Sequence, residues 1–141
     1  MVITRRHRVR TSGQGDAHDV TPLVRDELAR STLDAGLATV AVVGSTAAVT
    51  TIEFEPGAVA DLNELFERLA PRRAEYRHHL QWGDDNGSSH VRAALLGPSV
   101  TIPFSEGTLH LGTWQQIMLL ELDTRGRSRD VIVQLMGDAA R

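Results

Sequence analysis

Apolar and polar positions along this chain follow two periods, the alternation of strands and the helical spacing of three separate stretches. Thr4 to Arg10 alternates with the two-residue period of a strand. Leu23, Val24, Leu28 and Leu33 return at helical intervals, with Thr21 as a cap, Pro22 at the first helical position and Gly36 as the stop. Ala38 to Val43 and Ala48 to Phe54 are small and β-branched and read as buried strands, joined by a turn or bulge at Gly44-Ser45-Thr46-Ala47. Pro56 opens a second helix whose apolar face is Val59, Leu62, Leu65, Phe66 and Leu69, and Pro71 ends it.

Arg72 to Ser88 is polar and irregular, long enough for a loop that carries function. Ser89 to Leu96 returns to helical spacing before Gly97-Pro98. Val100, Ile102 and Phe104 alternate as a strand, and Ser105-Glu106-Gly107 signals a hairpin. Gln116 to Glu121 and Asp130 to Met136 read as two antiparallel strands around the turn Thr124-Arg125-Gly126-Arg127. The pattern predicts one α+β domain over residues 1–141, with a mostly antiparallel sheet and about three helices.

Composition narrows the chemistry. The 141 residues suffice for a core without staples, and the absence of cysteine excludes disulfides, thiolate metal sites and thiol nucleophiles. No apolar run approaches the roughly 18 residues of a membrane span, and the basic start lacks the apolar stretch of a secretion signal. The expectation is a cytoplasmic protein without a membrane partner. A net charge of −3 argues against nucleic acid. Arg5, Arg6, Arg8 and Arg10, and later Arg125, Arg127 and Arg129, read as solvated faces or edge-strand protection, with an anion site as the functional alternative.

Three groups of residues could carry chemistry. His78, His79 and His90 flank Asp84-Asp85-Asn86-Gly87-Ser88-Ser89, and imidazole, carboxylate and amide groups in one window can build an acid–base or metal site. Their spacing matches no compact zinc motif, and Asp and Ser here also serve as turn and capping residues. Glu53 ends a buried-looking strand and is a general base, a ligand, or an exposed strand-end carboxylate. Trp114-Gln115, beside Gly112-Thr113, offers a ligand one flat face and one amide, or packs into the core.

Tyr76-Arg77-His78, then Asn86 through Gly97, then Gly107 through Gln115, then Glu121-Leu122-Asp123 with Arg127 and Arg129, resemble in this order the YjbQ family, whose name is secondary thiamine-phosphate synthase. Leu111-Gly112-Thr113-Trp114-Gln115 is the most specific segment, and the match runs from about Val40 to Gly137. The resemblance implies a small α+β fold with a curved antiparallel sheet, a homotrimer, and a polar pocket that gathers histidines around a divalent metal. His78 and His90 match two family histidines. Gly44 stands where a third is expected, Ile52 where an asparagine is expected, and Glu53 is retained. Zinc in a catalytic site usually takes three protein ligands, so Glu53 or Asp84 would have to complete the shell, or the metal is absent.

The resulting expectation is a small-metabolite enzyme: a diverged thiamine-phosphate-synthase-like transferase, or a metal-independent acid–base lyase or isomerase. His78, His90 and Glu53 would be catalytic. Ser45, Thr46, Asn86, Ser89, Thr113, Trp114, Gln115, Arg127 and Arg129 would contact the substrate. The alternative is a non-catalytic ligand-binding or assembly protein on the same trimeric scaffold.

Overall fold

The computed structural model describes residues 1–141 as a single α+β domain. In chain order the elements are β1 (Val2–Arg10), β2 (Ala17–Asp19), α1 (Thr21–Ser31), β3 (Leu33–Val43), β4 (Ala47–Ile52), α2 (Pro56–Leu69), α3 (Arg77–Trp82), α4 (Gly87–Leu96), β5 (Ser99–Ser105), β6 (Thr108–Leu109), β7 (Gln116–Glu121) and β8 (Ser128–Ala139). Every strand pairing is antiparallel. The strands divide between a five-stranded sheet in the order β1-β8-β3-β5-β6 and a three-stranded sheet in the order β2-β7-β4.

This arrangement corrects the reading of β7 and β8 as partners around the Thr124–Arg127 turn. β7 lies between β2 and β4, and β8 lies between β1 and β3, so the turn carries the chain from one sheet to the other. The reason lies in burial: nearly all of β7 is inaccessible on both faces, as a strand enclosed between two layers must be. Ile117 and Leu119 face the larger sheet and join a core with Val40, Val42, Val131, Val133, Phe104 and α1 residues Val24 and Leu28. Met118, Leu120 and Leu122 face the other way, against Phe66 of α2 and Ala93 of α4. The layers are thus the five-stranded sheet, the three-stranded sheet, and a pair of helices, with α1 closing the side of the first core.

Local chemistry sets the element ends. The Glu55 carboxylate accepts from the backbone N–H groups of Gly57 and Ala58 at 2.7 and 2.8 Å and caps α2 ahead of Pro56. Those same bonds, led by that from Gly57, hold its carboxyl below the ordinary range. Thr21 begins α1, but its hydroxyl accepts from Ile117 N–H at 2.8 Å, while the Asp19 carboxylate takes the Thr21 N–H. The cap is therefore displaced by a tertiary bond to β7. The first helix also ends earlier than its periodicity suggests: Thr32 adopts a left-handed conformation, and Leu33 and Gly36 already belong to β3. Leu33 keeps its predicted burial while changing element.

Within Arg72–Ser88, read as a loop, the chain forms the short helix α3 before turning at Gly83. Its six residues are too few for an amphipathic period to show in sequence. The arginines of β1 occupy an edge strand. Arg6 Nη1 meets Asp130 at 2.6 Å, Arg8 lies 3.6 Å from the same carboxylate, and Arg5 lies 3.6 Å from Glu27. No helix is long and apolar enough to cross a membrane.

Gly36 and Gly137 sit opposite one another where β3 and β8 shift register between Leu33 and Ala35. A Cβ on Gly36 would overlap the Met136 carbonyl, and one on Gly137 the Ala35 carbonyl. Both collisions are with backbone, which cannot swing aside. Gly36→Ala is expected to destabilise the fold by about 1–3 kcal/mol, the usual cost of forced overpacking, read as a fall in the midpoint of chemical denaturation with an unchanged slope.

Candidate functional site

Two of the clefts that hold residues singled out by sequence lie at opposite ends of β4. The six residues of that strand span about 17 Å at roughly 3.3 Å per residue. At its start, Gly44, Ser45 and Ala47 share a cleft of about 300 Å³ with His90, Ala93, Ala94, Gly97 and Pro98. At its far end, Glu53, Thr113 and Trp114 line a second cleft of about 460 Å³ with Asp19, Arg25 and Glu55.

The histidines gather at the first end. The His78 and His90 rings have centroids 4.5 Å apart at an interplanar angle of 42°. His78 Nδ1 lies 3.1 Å from Asp84 Oδ1, and the same carboxylate oxygen accepts from Asn86 N–H at 3.2 Å. A carboxylate, an imidazole and a second imidazole thus stand in sequence at the meeting of α3 and α4. Such an order fixes the orientation of the first ring, and the second lines the cleft. His79 faces away: its Nε2 accepts from Gly87 N–H at 3.3 Å, and its ring stacks edge-on with Tyr76 at 5.5 Å.

The other expected residues divide by role. Ser45 lines the His90 cleft. Thr46 and Ser89 are buried away from any cleft, whereas Asn86 is half-buried and lines a separate polar cleft with Asp84, Asp123 and Arg127. Thr46 is buried, donating to Asp123 Oδ2 at 3.0 Å and accepting from Arg129 Nη2 at 2.7 Å. Asn86 precedes α4 and donates from Nδ2 to Asp123 at 3.2 Å. Ser89 is fully buried, and its hydroxyl has no partner.

Gln115 is occupied in closing its own turn, accepting from Gly112 N–H at 3.0 Å and donating to Thr51 at 3.2 Å. Trp114 is 73% exposed beside Glu53, so the core-packing reading of that ring does not hold. Glu53 cannot join His78 and His90 within one chain, which corrects its grouping with them. No three His, Asp or Glu side chains converge closely enough to hold a metal ion, so the donors here do not fit a three-ligand zinc centre.

Beneath the His90 cleft runs a polar network that the strand pattern contains and motif searching misses. Alternation places Glu121 on the same face of β7 as Ile117 and Leu119, and Arg129 on the same face of β8 as Val131 and Val133. The two inner faces oppose each other, so the charges meet. Arg129 Nε donates to Glu121 Oε1 at 2.8 Å and Nη2 donates to Oε2, with the carboxylate fully buried. Thr11 Oγ1, at 2.6 Å, and the backbone N–H groups of Leu122 and Asp123, at 3.0 and 3.2 Å, complete the shell of Glu121. The sequence signal was a lone carboxylate inside the apolar run Ile117–Leu122.

Asp123 extends the network. Arg127 reaches it from Nε at 3.1 Å and Nη2 at 3.0 Å. Burial alone would raise its pKa. Hydrogen bonds from Asn86, Thr46 and the Arg125 N–H, with the charge of Arg127, outweigh burial and hold the carboxyl below its ordinary range.

With this geometry in hand, likeness to known proteins becomes informative. The sequence profile described as UPF0047 protein YjbQ-like matches residues 5–138. The chain belongs to the YjbQ-like UPF0047 family. It is 36% identical over 136 residues to a UPF0047 protein of Methanothermobacter thermautotrophicus, covering 96% of this chain and 93% of that one. It is 32% identical to the YjbQ protein of Salmonella typhimurium, over 86% of this chain and 88% of the other. Among solved structures, a hypothetical protein from Aeropyrum pernix K1 superposes with a TM-score of 0.88 at 33% identity, covering 96% of this chain and 99% of that one. A YbjQ-like protein of unknown function from Sulfolobus solfataricus P2 does so with 0.87 at 28%, covering 98% and 100%. The fold expected from the resemblance is thereby shown.

Because the folded pKa of Asp123 is depressed, its charge contributes stability above the unfolded value near 3.8, and the contribution is lost as pH falls through the folded value. Asp123→Asn is expected to cost about 1–3 kcal/mol near pH 7. Thermal melts of the two proteins should converge as pH falls below about 4; a constant gap down to pH 2 would show that the charge is not what matters.

Proposed function

We propose that this YjbQ-like protein is an enzyme that moves a proton on a small polar metabolite without a resident metal, as a lyase or isomerase. The observation that supports this reading is the Asp84–His78–His90 arrangement beside an open cleft. Asp84 holds Nδ1 of His78, which fixes that ring's orientation. His90, packed against it, lines the cleft and is the group to exchange a proton with a ligand. His78 packs against His90 and holds that ring in place. Imidazole suits this work because it changes charge in the neutral range.

The thiamine-phosphate-type transfer implied by the resemblance would join a pyrophosphate-activated pyrimidine to a thiazole phosphate and release pyrophosphate. Such chemistry draws on carboxylates that hold a divalent metal against the leaving group. Asp84 is engaged with His78, and no three carboxylate or imidazole donors converge. The geometry therefore favours proton transfer over pyrophosphate displacement.

Assembly as a homotrimer belongs to the same proposal. The outward face of the five-stranded sheet leaves Val2, Leu37, Val43 and Met136 exposed, between 45% and 57% each. Val2 and Leu37 both pair with Met136, so three of these side chains form one cross-strand row. Apolar rows of this kind on a sheet face are usually covered by another surface. Light scattering is expected to give three times the 15.4 kDa chain mass, with Leu37→Glu shifting the distribution to lower mass.

Two substitutions test the chemistry. In a screen of small polar metabolites, turnover of any substrate found should fall by about 10²–10⁴-fold in His90→Ala, the usual scale for losing a general acid or base. It should fall less in His78→Ala. Neither ring is fully buried, so melting temperatures should stay close to the parent's. A loss of stability with no effect on turnover, or ligand binding without turnover, would assign the pocket to a binding or structural role instead.

A further inference from the structure

Arg129 carries one nitrogen that the buried network does not use. Its side chain is only 8% exposed. Nε and Nη2 are consumed by Glu121 and Thr46, whereas Nη1 makes no hydrogen bond to any protein atom. Nη1 is not among the buried atoms left without a partner, so this one nitrogen of an otherwise enclosed guanidinium is open to solvent and free to meet a ligand.

Nη1 points toward Gly44. A Cβ built at residue 44 would lie 2.7 Å from Nη1, with only the guanidinium carbon of the same arginine otherwise within 4 Å. Arg129 cannot retreat, because two of its nitrogens are locked on Glu121. The space beside Gly44 is therefore open because the residue is glycine, and it opens onto a fixed cationic donor. Gly44 and Ser45 form one wall of the His90 cleft.

The geometry points to Arg129 Nη1 as the donor for an oxyanion of the substrate, a carboxylate or a phosphate, seated at the Gly44 corner of the His90 cleft. This rests on the proposed reading of His90 as the proton-transfer group and names the substrate class: a small acid whose anionic end is held at Arg129 and whose reacting carbon faces His90. Guanidinium N–H groups bond oxyanions strongly. The paired charges of the network, Arg127 and Arg129 against Glu121 and Asp123, cancel. Recognition is thus by one directed donor, and a bare anion is held only weakly. Ser45, on the same wall, contributes a neutral hydroxyl to the cleft lining.

The test uses inorganic phosphate and acetate as probes in separate titrations of the intact protein, followed by NMR of the arginine side-chain nitrogens and the histidine rings. The expected result is a saturable shift of the Arg129 signal at millimolar probe. Gly44→Ala, which fills the space over Nη1, should weaken it at least tenfold. Ala94→Leu, at an exposed helix position on the cleft wall, should weaken it without touching the network, so the result does not depend on Gly44→Ala folding. A shift with phosphate alone assigns a phosphate ester, and one with acetate alone a carboxylic acid. No Arg129 shift with either probe, or equal affinity in the variants, overturns the inference. That failure would leave the His90 reading standing, since a neutral substrate would still lose turnover in His90→Ala.

Discussion

The Glu121–Arg129 pair joins the two sheets of this protein. One partner lies on the inner face of β7 and the other on the inner face of β8, with apolar side chains alongside each. Two charges in such a place are costly to bring out of water, and only a complete set of hydrogen bonds offsets that cost. Here the set is nearly complete: Glu121 accepts from Arg129, Thr11, Leu122 and Asp123, and Arg129 also donates to Thr46. Apolar residues of similar size would fill the same volume. They would not fix the register between sheets that share no strand pairing. A bidentate arginine–carboxylate contact fixes it by direction as well as distance.

From this pair the site is positioned step by step. Arg129 holds Thr46, which anchors the Gly44–Thr46 connection between β3 and β4. Thr46 donates to Asp123, Asp123 accepts from Asn86, and Asn86 stands at the start of α4, the helix that carries His90. The Asn86 N–H in turn donates to Asp84, which holds His78. The two imidazoles therefore take their places from hydrogen bonds that originate between the sheets, although neither histidine belongs to a sheet. A site placed in this way is rigid where it meets the core and open where α3 and α4 meet solvent.

Much of this was legible in the sequence, and the parts that were not share one cause. Alternation located β1 and β5, and runs of apolar or β-branched residues located β4, β7 and β8, because these patterns are settled locally. The β7–β8 hairpin was misread because pairing depends on which layer a strand enters, and the short turn Thr124–Arg127 is compatible with pairing or with crossing between sheets. Likewise Leu33 is buried whether it ends α1 or begins β3, so its hydrophobicity could not decide the element. At the site, His78, His90, Ser45 and Arg129 were legible as residue types suited to chemistry. Thr46 and Ser89 were legible only as polar, since their burial follows from how α4 meets β4. Glu121 and Asp123 escaped notice as the organising charges because their partners come from other strands and loops.

The separation of the two clefts decides how the family resemblance is to be read in this chain. Glu53 and Trp114 were expected beside the histidines because all four belong to the resemblance, but β4 holds them at its opposite ends. A rigid strand within a packed sheet does not fold back on itself, so no motion of one chain unites them. What one chain does unite is a carboxylate-oriented imidazole pair, an unused arginine nitrogen and the open corner left by Gly44. These are the components that the proposed reading uses to hold an acid and move a proton, and Glu53 is not among them. In the proposed reading the acid–base groups come from a single subunit, and the donor for the anionic end is an arginine that the fold already requires to join its two sheets.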